Sequence, residues 1–172
     1  MLNTINKKEL ALKKLKSLTL SKKADFRLYY LQGCIEMDLR DYNNAIDSYK
    51  KVLELNSDHK DASFNLGVIH FETKKYNIAQ NIFIAYLETF GNDQEAQRYL
   101  LQIYLITSQL NKAEILSEKI CHIYPKEAMF WYERARVLTR LNKNNEAISC
   151  YKECLEIAPN FNDAFKNMVI LY

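Results

Sequence analysis

A chain of 172 residues is long enough to bury a sizeable core, and 48% hydrophobic with 26% charged residues excludes a mainly disordered polymer. Three glycines and two prolines leave little material for hairpins, so composition favours an all-helical fold. The net charge of +3 is uneven: residues 1–25 hold seven lysines against Glu9 and Asp25, while the remainder carries 17 basic and 19 acidic side chains, which excludes a polyanion-binding body.

The stretch from Met1 to Lys16 alternates lysines with leucines and lacks the uninterrupted apolar run of a signal peptide. No apolar segment approaches the length of a membrane span, so a cytoplasmic location is expected. Residues 4–20 read as one amphipathic helix, with Ala11, Leu15 and Leu18 on its apolar face. With Leu12, Leu15 and Leu18 opposite its lysines, this helix suits either an anionic membrane surface or the solvated side of a half-repeat. Its register with the repeats that begin at Phe26 favours the half-repeat.

From Phe26 onward the chain keeps a period of 34 residues without insertion. Ala45, Ala79, Ala113 and Ala147 mark it, as do Gly33 with Gly67 and Pro125 with Pro159. The units are 26–59, 60–93, 94–127 and 128–161. Each begins with a helix A over about fourteen residues, apolar or small at positions 4, 7, 8 and 11. A short polar turn comes next, then a helix B with its stripe at positions 20, 21, 24, 27 and 28. Positions 8 and 20 are small where the two helices should approach most closely, pairing Gly33 with Ala45 and Gly67 with Ala79. Position 32 ends helix B with Ser57, Gly91, Pro125 and Pro159.

In the first and fourth units Gln32 and Arg134 put polar groups at position 7. The third unit carries bulky Leu101 and Ile120 at positions 8 and 27, which predicts wider helix spacing or a local change of superhelical curvature there. Residues 162–172 continue the register as the first helix of a fifth unit, with Ala164, Phe165, Met168 and Tyr172 at positions 3, 4, 7 and 11. The apolar face of that helix predicts self-association.

The run Asp41-Tyr42-Asn43-Asn44-Ala45-Ile46, the triplet Asn65-Leu66-Gly67, and Trp131 with Ala147, Tyr151 and Pro159 resemble the tetratricopeptide repeat (TPR) family. The resemblance implies one TPR solenoid over residues 1–172, all-α, a right-handed superhelix of antiparallel helix pairs. It also implies that the A helices line a concave groove. Position by position, that groove takes Tyr30 and Met37 from the first unit, and Phe64, Asn65, Val68 and Phe71 from the second. Arg98, Tyr99 and Gln102 come from the third unit, and Tyr132, Arg136 and Arg140 from the fourth. Lys166 and Asn167 are added by the last helix. Such a surface is aromatic first and basic later, complementary to a partner protein whose peptide or helix offers apolar anchors and then acidic residues.

Two narrower kinships within the family fail on their residues. Of the basic and amide positions that clamp chaperone tails, only Asn65 matches, against Arg27, Leu31, Asp61, Glu95 and Tyr99. The asparagine ladder of sugar-transferring superhelices would keep Asn65 and Asn167, but Leu31, Tyr99 and Glu133 interrupt it. No phosphate loop, nucleophile elbow or zinc-protease motif is present, so a non-catalytic module is expected, with no cofactor. Cys34, Cys121, Cys150 and Cys154 form no C-x-x-C pair and read as small apolar residues in a reducing compartment. His59, His70 and His122 have no partner at ligand spacing, so no metal is expected. The function expected is an adaptor or scaffold. The alternative is a regulatory or substrate-recruiting segment of a larger protein, such as a glycosyltransferase or a secretion or pilus-assembly component.

Overall fold

Helical apolar stripes interrupted every thirteen to fifteen residues fold as a run of short helices, ten among the described residues, with no strand there. The computed structural model describes residues 2–19 and 25–172. Its helices are α1 (Leu2–Thr19), α2 (Phe26–Asp38), α3 (Tyr42–Leu55), α4 (Lys60–Glu72), α5 (Tyr76–Phe90), α6 (Gln94–Ile106), α7 (Leu110–Ile123), α8 (Ala128–Arg140), α9 (Asn144–Ile157) and α10 (Asn162–Ile170). Leu20, expected to end the first helix, lies outside the described residues, as do Lys22 and Lys23. The chain divides into two compact units, Met1–Ala96 and Gln97–Tyr172. No helix among the described residues is long and apolar enough to cross a membrane.

Each A-to-B turn is made the same way. Arg40, Lys74, Ser108 and Asn142 adopt φ of 59°, 59°, 57° and 59°, in the left-handed region. The next N–H then reaches back over the helix end: Asp41 to the Glu36 carbonyl, Lys75 to His70, and Gln109 to Tyr104, each at 2.8 Å, and Lys143 to Leu138 at 2.9 Å. These bonds satisfy carbonyls that the helix end would otherwise strand. No glycine marks the turns in the sequence, because the repeated geometry is held by backbone bonds.

In the first compact unit, α2 packs on α3 and α4 on α5. A Cβ added to Gly33 would sit 2.8 Å from the Tyr49 ring, and one added to Gly67 would sit 2.8 Å from Phe83. The nearest neighbours of the glycines are therefore the B-helix rings at position 24. The alanines at position 20, Ala45 and Ala79, are fully buried. Tyr49 and Phe83 are themselves 0% exposed, so each ring contributes roughly 1.5–3 kcal/mol of burial, which a larger residue at position 8 would compromise.

α1 packs on α2 as a half-repeat would. The Lys16 Nζ lies 3.3 Å from the Glu36 carboxylate, and Lys8 pairs with Asp38 at 2.7 Å. Glu36 is fully buried, and it also accepts from the Gln32 amide at 3.0 Å and from the Ser48 hydroxyl at 2.6 Å. Three donors from three helices thus offset the desolvation of one carboxylate. Gln32, the polar residue at position 7, is one of them. The same position 11 that holds Glu36 holds His70 in the next repeat. His70 is buried, and its Nδ1 has no hydrogen-bond partner among the described residues.

In the second compact unit the third repeat exchanges bulk between its helices. Where the other repeats put Tyr49, Phe83 and Tyr151 at position 24 against Gly33, Gly67 and Ala135 at position 8, this one puts Ser117 against Leu101. Leu101 is 2% exposed and Ser117 1%. The third repeat thus carries its bulk on helix A and a small side chain on helix B, the reverse of the other repeats. Arg134, at position 7 of the fourth repeat, is only 16% exposed in its side chain and lies 3.6 Å from Glu118. Burial, opposed by the Arg134 charge, pushes the Cys121 thiol up to about 12, and burial pushes Cys154 up to about 11. Both are therefore protonated and inert at neutral pH. On α10, Phe165 and Val169 are exposed, as is Tyr172 just beyond it, whereas Ala164 is fully buried.

This packing can be tested at two positions. Gly67→Ala should cost about 1–2 kcal/mol in urea denaturation despite its better helix propensity, and combining it with Phe83→Leu should cost about 1 kcal/mol less than the sum. A neutral Gly67→Ala would contradict the close approach. For His70, burial, and then the charges of Lys75 and Lys50, lower its proton affinity below the ordinary value of 6.5. As the pH falls through that value the unfolded chain takes up its proton first, so stability drops on acidification. His70→Leu, matching Leu138 at the same position, should raise stability by about 1 kcal/mol and flatten its pH dependence between pH 7 and 5. An unchanged pH profile would exclude His70 as the cause.

Candidate partner-binding site

The B-helix tyrosines that pack on position 8 also carry hydroxyls, and these reach the A-helix side of the stack. In the first compact unit, Tyr49 Oη accepts from the Asn65 amide at 3.1 Å and directs its proton toward Cys34 Sγ at 3.5 Å and Met37 Sδ at 3.9 Å. The Tyr30 ring lies 6.0 Å from that of Tyr49 and 4.6 Å from His59. His59 also meets Phe26 edge-on at 5.5 Å, and its Nδ1 accepts from the Ala62 N–H at 3.2 Å, capping α4. Burial, then the Cys34 sulfur, pushes the Tyr30 phenol up to about 12 and raises Tyr49 further. Both phenols are neutral donors in any physiological range.

Three repeats on, the second compact unit holds the same trio. Tyr132 lies 6.0 Å from Tyr151, and Asn167 Nδ2 donates to the Tyr132 hydroxyl at 3.4 Å. Phe161 takes the place of His59, with its ring 4.8 Å from Tyr132. The difference lies at position 9. Cys34 stands there in the first cluster and Arg136 in the second, with the Arg136 guanidinium 5.8 Å from the centre of the Tyr132 ring. One cluster is neutral and sulfur-lined; the other is cationic.

The remaining residues expected in the groove are placed less uniformly. Phe64 meets Phe83 and Tyr86 at 5.8 and 5.7 Å, and Phe71 meets Tyr76 at 5.7 Å, so both aromatics help hold the first compact unit. Val68 is only 7% exposed and offers little surface, a correction to its expected place in the groove. Arg98, Tyr99 and Gln102 on α6 are partly exposed. Arg140, exposed, donates through Nη1 to the Leu105 carbonyl at 2.6 Å, and Arg136 Nη1 donates to Glu133 at 2.8 Å. The capping role of His59 has no sequence signature, since histidine is an uncommon cap. The recurrence of Tyr at positions 5 and 24 in the first and fourth repeats alone was the legible signal for the two clusters.

Among proteins of known sequence, a TPR repeat-containing protein of Methanocaldococcus jannaschii is 26% identical over 157 residues, covering 84% of this chain and 27% of that protein. Anaphase-promoting complex subunit 3 of Schizosaccharomyces pombe is 24% identical over 132 residues, 77% of this chain and 20% of that subunit. The chain thus spans about a quarter of the length of these curated relatives. In three dimensions, residues 41 to the end of MamA from Desulfovibrio magneticus RS-1 superpose with a TM-score of 0.78 at 25% identity, covering 90% of this chain and 87% of that one. The tetratricopeptide repeat pattern itself matches residues 36–103 and again 128–161. With its antiparallel helix pairs in one unbroken register, this chain belongs to the tetratricopeptide repeat family.

Proposed function

We propose that the chain is a non-catalytic adaptor that holds a peptide or helix of another protein along its A helices. The observation that carries this reading is the pair of Tyr–Tyr–Asn clusters in identical register, one beside Cys34 and Met37, the other beside Arg136 and Arg140. Rigid aromatics and arginines offer large contact area with few rotors to freeze, which is why such residues dominate interface energetics. The neutral cluster suits an apolar anchor and the cationic one an acidic residue. That a relative is named as a subunit of a multiprotein complex agrees with an interaction role. The pairing of Lys8 and Lys16 with Asp38 and Glu36 supports reading α1 as a half-repeat in place of a membrane-surface helix.

A second reading is favoured by the greater length of the relatives: the same surface would recruit substrate or exert regulation within a larger protein. The two readings share the surface and differ in what is attached to it.

The test is affinity capture from a native lysate with the wild-type chain against a Tyr30→Ala, Arg136→Ala, Arg140→Ala variant, with helicity checked by circular dichroism. Phe64 and Phe71 are left intact because they pack against other rings. Partners of the wild type should be depleted at least about tenfold on the variant, the scale of one or two lost hot spots. Retention of the same partners by a folded variant would exclude this surface.

A further inference from the structure

The second compact unit contains a small pocket of about 290 Å³ whose walls come from α6, α8, α9 and α10. Arg136, Thr139, Arg140, Tyr151 and Asn167 bring polar groups to its lining, and Leu105 and Ile170 are among its apolar walls. Arg136 and Arg140 are one helical turn apart on α8, so their like charges share a face and oppose one another. No acidic residue lines the pocket with them. Glu133, only 8% exposed, holds Arg136 through Nη1. Arg140 is tethered through Nη1 to the Leu105 carbonyl. Each guanidinium therefore has a fixed edge, with further N–H groups on its fork, and loses little freedom on meeting an anion. The Thr139 hydroxyl is committed to the Ala135 carbonyl at 2.8 Å, and Asn167 donates to Tyr132 at 3.4 Å.

Two magnitudes narrow the occupant. A volume of about 290 Å³ is at the lower edge of pockets that hold whole small-molecule ligands and has room for one side chain. The unit as a whole carries ten basic against eight acidic side chains, which provides no extended cationic surface for a nucleic acid. The geometry points to a single glutamate or aspartate side chain of a partner polypeptide, its methylene stem against Leu105 and Ile170 and its carboxylate between Arg136 and Arg140. This deepens the adaptor reading and rests on it.

The probe is N-acetyl-glutamate N-methylamide, titrated into the full ¹⁵N-labelled chain at constant ionic strength and followed at the arginine Nε–H and asparagine side-chain resonances. Saturable shifts confined to Arg136, Arg140 and Asn167, with a Kd on the order of a millimolar, are expected. The glutamine analogue should give no saturation, and Arg140→Gln, folded by circular dichroism, should weaken binding of the acid at least about tenfold. Equal shifts from the glutamine analogue, or unchanged binding by Arg140→Gln, would overturn the proposal. So would tighter binding of inorganic phosphate at the same resonances, which would make this an oxyanion site of another kind. Captured partners that survive Arg140→Gln but are lost with the triple variant would remove this subsite and leave the adaptor reading standing.

Discussion

An aromatic ring laid on a backbone that has no side chain in its way is the constraint that organises this molecule. Gly33 under Tyr49 and Gly67 under Phe83 bring the helices of a pair close enough for their stripes to interlock. The ring is buried at its root, so its distal end is carried to the A-helix side. Where the ring is tyrosine, that end bears a hydroxyl at a fixed height, and Asn65 of the next repeat meets it there. The contact that stacks the repeats therefore also builds the candidate recognition cluster. Tyr151, over Ala135 at the corresponding position, carries the same logic into the second compact unit.

Specialisation is then laid over an invariant frame by changing side chains that the frame does not use. Position 9, beside the packing stripe, holds Cys34 in one cluster and Arg136 in the other, and this change divides the clusters into neutral and cationic. Position 11 is inside the stripe, and polar residues there have structural consequences: Glu36 requires Lys16, Gln32 and Ser48, whereas His70 leaves a ring nitrogen unpartnered. The third repeat shows that the frame tolerates a different distribution of volume, with Leu101 and Ser117 exchanging the sizes found elsewhere. Volume conserved across a pair is easier to accommodate than volume added to one side.

How much of this was legible depended on whether the information was periodic or local to the fold. The 34-residue period and the helix pairs were readable because apolar residues recur at fixed positions. The rings of Tyr49 and Phe83 over the glycines were not legible, since spacing along a chain shows that a position is small without showing which facing residue comes nearest. The left-handed residues at Arg40, Lys74, Ser108 and Asn142 were invisible as such, because no residue type there advertises a positive φ. Of the expected groove residues, Phe64, Phe71 and Val68 are drawn into packing, because a helix face facing a groove also faces its neighbours. Tyr30, Asn65, Tyr132 and Arg136 do come together into clusters, and their shared register was present in the sequence.

The ring-on-glycine contact can be measured directly by NMR, since the chain has only three glycines and their α-proton resonances are readily assigned. Gly33 and Gly67 lie against aromatic rings, while nothing lies within 4 Å of where a Cβ of Gly91 would be. The account requires strong ring-current shifts at Gly33 and Gly67, a collapse of the Gly33 shift in Tyr49→Leu without change at Gly67, and an ordinary position for Gly91. Three glycines with α-protons at ordinary positions would contradict the contact on which both the stacking and the candidate site depend.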